Sequence, residues 1–141
     1  MSSDIQSTFI TAAAIDADGI SVATSVGNNA NLVLGGALTS GGAVTFDEPR
    51  NITILSAGND SGISFTVTGT DEQGDAVTES ITGANAGTAT GSTFFTTISQ
   101  IAAVGNPAGN VSAGSGASIA APIFRGRLRL RGLYAVNTGT A

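Results

Sequence analysis

Four of the five basic residues of this chain, Arg125, Arg127, Arg129 and Arg131, stand two apart within FRGRLRLRGLY, Phe124 to Tyr134. The fifth is Arg50, and there is no lysine. In an extended strand, residues two apart share a face, so the ladder sets four guanidiniums in a row ~7 Å apart. Leu128 and Leu130 fall on the other side. The planar fork of arginine meets carboxylates bidentately, which makes the row a footprint for an acidic protein surface. Phe124 and Tyr134 flank it and supply the apolar part of such a contact or of the core. A plainer reading is an edge strand whose charges deter aggregation and pair with the chain's own acids. The sequence favours the partner surface. Nucleic acid is not expected. Residues 1–124 carry all ten acids against one arginine, a charge of -9, and no aromatic interleaves the ladder for base stacking.

Other chemistry is poorly supplied. Cysteine and histidine are absent, so no disulfide, thiolate or imidazole is available to a metal or a nucleophilic site. What remains is carboxylate pairs or an unusual serine site. Asp47 and Glu48 are adjacent, and neighbours in a strand diverge. No GxSxG and no phosphate-binding GxxxxGK[ST] occurs. DADG (Asp16 to Gly19) and DEQGD (Asp71 to Asp75) cluster oxygens, but neither matches a calcium loop, and Asp and Gly are ordinary turn residues. We therefore expect no enzyme activity, no cofactor and no metal.

Those arginines have to be positioned by something, and the composition points to sheet. Gly, Ala, Ser and Thr dominate, and long amphipathic helices are not expected. The N-terminus lacks the pattern of a signal peptide, and no apolar stretch approaches a membrane span. Residues 1–19 read as an N-terminal arm. Residues 20–141 read as a single β-sandwich domain that includes the arginine strand. Strands are expected at Ile20 to Val26, Asn31 to Gly36, Ala43 to Phe46 and Asn51 to Ser56. The clearest is GISFTVTGT, where Ile63, Phe65 and Val67 face one way and Ser64, Thr66 and Thr68 the other. DEQGD then turns into AVTESIT, a hairpin. GANAGTATG (Gly83 to Gly91) reads as a loop. FFTTISQIAAV (Phe94 to Val104) reads as a strand with a bulge, GNPAGN as a turn, and a short strand follows from Val111. Seven to nine short strands with Gly-rich turns predict an all-β fold, an immunoglobulin-like or jelly-roll-like sandwich with extended terminal segments.

The run from PRNITI (Pro49 to Ile54) through SAGNDSGISFTVTGTDEQGD (Ser56 to Asp75), ESITGANAG (Glu79 to Gly87) and FFTTISQI (Phe94 to Ile101) resembles a segment of small structural proteins of tailed phages. Such proteins are similar to head decoration, or cement, proteins. The resemblance implies a virion component, made in the host cytoplasm, that binds the exterior of the assembled capsid. The partners it implies are the major capsid protein and further copies of the same chain, a trimer before a dimer. It implies no site residues, because the similar segment is scaffold, and the arginine ladder lies outside it. A head-tail connector or tail-tip protein is one alternative. A carbohydrate-binding or adhesin module is another, disfavoured by the lack of Trp and the single Tyr. Neither nucleic acid nor a membrane is an expected partner.

Overall fold

One strand belongs to both layers of this protein. The computed structural model describes residues 14–120, which form eight strands and, within those residues, no helix. They are β1 (Asp16–Ser25), β2 (Thr39–Ser40), β3 (Ala43–Asn59), β4 (Ser64–Thr70), β5 (Ala76–Thr82), β6 (Asn85–Thr90), β7 (Phe95–Val104) and β8 (Asn110–Ile119). The first half of β3 pairs with β2 and β7, through Ala43↔Ser40 and Val44↔Ile98. Its second half pairs with β6 and β8, through Leu55↔Thr88 and Leu55↔Ser112. All pairings are antiparallel, and the order β1-β8-β3-β7-β4-β5 forms one continuous sheet. The sheet folds over along β3. One layer is β2, the first half of β3, β7, β4 and β5. The other is β6, the second half of β3, β8 and β1.

Two separate strands, Ala43 to Phe46 and Asn51 to Ser56, were expected here. They are one strand of 17 residues. The intervening Asp47-Glu48-Pro49 forms the fold line, with register shifts on both sides of Arg50. Proline cannot donate to a ladder, and a bend is where a strand tolerates one. The loop expected at Gly83 to Gly91 is also corrected, because Asn85–Thr90 is strand β6. It lies along the edge of β3 where β7 has parted from it. That position needs small side chains and backbone donors rather than an apolar pattern. The strand expected at Asn31 to Gly36 shrinks to one bridge, Asn31↔Ala102. Here Leu32 N donates to Ile101 O and Ala103 N to Ala30 O. This strap takes up the edge of β7 that the departing half of β3 leaves open. β1 begins at Asp16, inside the expected arm.

The hairpin is as read. Thr70 pairs with Ala76, and Asp71 Oδ1 accepts from Gln73 N and Asp75 N, each at 2.9 Å. The bulge in β7 is also present: Thr68 and Gly69 are consecutive, while their partners Gln100 and Ile98 are two apart. The core between the layers holds Phe65, Phe95, Ile98 and Ile101 from one side and Ile20, Ile52, Ile54 and Val111 from the other, all fully buried. Burying each such side chain stabilises the fold by about 1.5–3 kcal/mol.

At the end opposite the fold line, the β7–β8 loop comes down on Gly58. A Cβ there would overlap the carbonyl of Ala108, which is backbone and cannot swing away. Gly62, four residues on, has open space around it and no positive φ. Gly58→Ala is expected to lower the unfolding free energy by about 2 kcal/mol or more, whereas Gly62→Ala stays neutral or gains a few tenths. Urea denaturation of the two variants in parallel checks this contrast.

Candidate interaction surface at the fold line

Adjacent residues at the fold line hold different parts of the chain. Arg50 is 4% exposed. Its Nη1 donates to Ser115 Oγ at 3.1 Å and to Ala14 O at 3.4 Å, fixing the start of the described chain to the bend. Asn51, equally buried, donates from Nδ2 to Gly91 O at 3.1 Å and accepts from Ser118 N at 3.1 Å. It therefore clamps the β6–β7 connection and the end of β8 together. Ala120 N then donates to Pro49 O at 3.0 Å. The two ends of the described chain are thus hydrogen-bonded to adjacent residues of the bend, Ala14 to Arg50 and Ala120 to Pro49.

The acidic residues gather at this end. Asp47 and Glu48 are in the bend itself. The β4–β5 hairpin tip, with Asp71, Glu72 and Asp75, projects from the same end, because Thr45, Thr97 and Thr70 lie in one cross-strand row. Thr70 and Thr97 join their hydroxyls across that row at 2.7 Å. Asp16 lies two residues beyond Ala14 and pairs with Ser115, the residue that Arg50 contacts. Arg50 is the only basic side chain between residues 14 and 120, and it is buried. The surface that the described residues form at this end is therefore acidic.

Two other carboxylates are used inside the fold. Asp60 is completely buried, and its Oδ1 accepts from Ala108 N at 2.6 Å, pinning the β7–β8 loop. Glu79 lies on the edge strand β5 opposite the buried Val67. Its Oε1 accepts from Ser92 N at 2.6 Å, Ser92 Oγ at 3.0 Å and Thr93 N at 3.2 Å. An inward carboxylate on an edge strand also discourages pairing with another chain. None of Arg50, Asn51, Asp60 or Glu79 was singled out for these roles in the sequence. The only available signal was the position of Arg50, Asn51 and Asp60 at the ends of apolar runs, while Glu79 stands within one.

The residues read as a partner-binding set, Phe124, Arg125, Arg127, Arg129, Arg131 and Tyr134, lie outside the described residues, as do Leu128 and Leu130. Residues 1–13 of the expected arm do too. What the structure adds is their point of departure. Among the described residues, no group of three or more Asp or Glu is arranged to hold a metal ion. DEQGD is a turn closed by its own Asp71. Among the described residues, no helix is long and apolar enough to cross a membrane. No protein-family model, no curated protein and no solved structure matches this chain.

Two substitutions test the pins. Asp60→Ala removes the buried side chain that accepts from Ala108 N and is expected to cost about 1–3 kcal/mol of stability by urea denaturation. Glu79→Ala removes three accepted bonds, whereas Glu79→Gln keeps an oxygen in place. The alanine variant is expected to show faster hydrogen exchange at Ser92 and Thr93, with the glutamine variant closer to the parent.

Proposed function

We propose that this chain is a structural protein of a tailed-phage virion, a decoration or cement protein that binds the outer surface of the assembled head. Its partners are the major capsid protein and further copies of itself, most simply a trimer on a three-fold axis. The reading rests on the sequence resemblance of residues 49–101. The observation that carries it is that both ends of the described chain, Ala14 and Ala120, lie at one end of a two-layer body. A clasp needs such a layout: a fold that holds its shape without disulfides, and terminal segments that start from the same place. One of those segments carries four arginines suited to a carboxylate-bearing shell. Many weak contacts repeated over a shell give strong attachment through effective concentration.

The test is binding of purified protein to particles lacking it, read by co-sedimentation. Replacing Arg125, Arg127, Arg129 and Arg131 with Gln is expected to weaken attachment about tenfold or more, with circular dichroism and urea midpoint unchanged. Attachment as tight as the parent's removes the ladder from the contact. Protein that never co-sediments with any part of a virion ends the proposal. A copy number of order ten per particle, read from a quantified gel, assigns it to a connector or tail tip instead.

A further inference from the structure

We infer that the arginine segment, residues 123–131, docks on the acidic end of its own sandwich, across the fold line and the β4–β5 hairpin tip. This inference does not depend on the virion reading. It rests on three things: where the chain leaves the body, how far it can reach, and what charge it meets.

The departure point is fixed by Ala120 N donating to Pro49 O. Asp47 and Glu48 immediately precede that proline in the bend. Arg125 is five residues past Ala120, within ~17 Å along an extended chain. The second group of acids, Asp71, Glu72 and Asp75, is two strand spacings away. The row Thr45–Thr97–Thr70 puts it ~10 Å from β3. From Arg125 to Arg131 an extended segment spans ~20 Å, enough for its guanidiniums to cover both groups. Charge complementarity is one-sided in the same sense. Residues 14–120 carry nine acids and one buried arginine, while residues 121–141 carry four arginines and no acid.

Intramolecular docking prevails over docking on a second copy. The segment leaves beside its own acids, so their effective concentration is in the millimolar range. A second copy must also overcome repulsion between two acidic bodies. If the virion reading holds as well, attachment is an exchange in which the carboxylates of the shell replace those of the bend and hairpin.

Trypsin reads this contact directly, because it cuts after arginine and Arg50 is buried. The intact chain is compared with a free peptide of residues 121–141 in the same buffers, so that effects of salt on the protease cancel. At ~20 mM salt the ladder in the intact chain is expected to be cut at least about tenfold more slowly than in the peptide. At ~1 M salt, where the screening length shrinks to ~3 Å, the ratio falls toward one. It falls likewise at low salt in the variant Asp47→Asn, Glu48→Gln, Glu72→Gln, Asp75→Asn. That variant leaves Asp71 to hold the turn. Equal cleavage of chain and peptide at low salt overturns the inference. So does protection that survives high salt or, in a folded variant, the neutralised acids. Protection that grows with protein concentration overturns it in favour of a second copy. If the variant does not fold, the salt and dilution series decide the matter alone.

Discussion

The bend in β3 is the constraint on which the structure depends. A strand that continues from one layer into the other gives each layer its central member. On the first half, β7 and then β4 and β5 build outward. On the second half, β8 and β1 build on one edge and β6 on the other. Where β3 crosses over, it stops serving β7, and two segments of weak sequence pattern fill the resulting edges. The strap around Asn31 covers β7, and β6 covers β3. The backbone groups exposed by the bend are thereby paired, as buried polar groups must be.

The charged residues follow from the same geometry. A fold line cannot be closed by a regular ladder, so side chains close it. Arg50 and Asn51 reach β8, the start of the chain and the β6–β7 connection. Asp60 and Glu79 do comparable work for the β7–β8 and β6–β7 connections. Such bonds are short in sequence cost and high in structural consequence, because an unpaired buried group is expensive. Among the described residues, most of the remaining charges are acids gathered at the bend and the hairpin. That is why the molecule has a distinct electrostatic end.

Alternation made β4 and β5 legible. Phe65 and Val67 inward, Thr66 and Thr68 outward, and the Gly-containing acidic turn DEQGD together leave little freedom. The bulge in β7 was also legible, from the broken phase of FFTTISQIAAV. β6 was not, because NAGTAT has no apolar period, and its place is set by an edge that exists only once β3 has bent. The continuity of β3 was hidden by Asp47-Glu48-Pro49, which reads locally as a break. The burial of Arg50 was not legible, since it is decided by Ser115 and Ala14, distant in sequence. Local patterns report faces of strands. They do not report which strand lends an edge to which.

The shared point of departure of the two tails has a mechanical consequence. β1 and β8 are neighbours, and Ala14 and Ala120 lie at the same end of them. Drawing the tails apart would peel that pair open one bond at a time, which takes little force. Anchoring both tails to a common support instead loads β8 lengthwise against β3, so that a whole ladder resists at once. The body is therefore frail when its tails diverge and robust when they are tethered side by side.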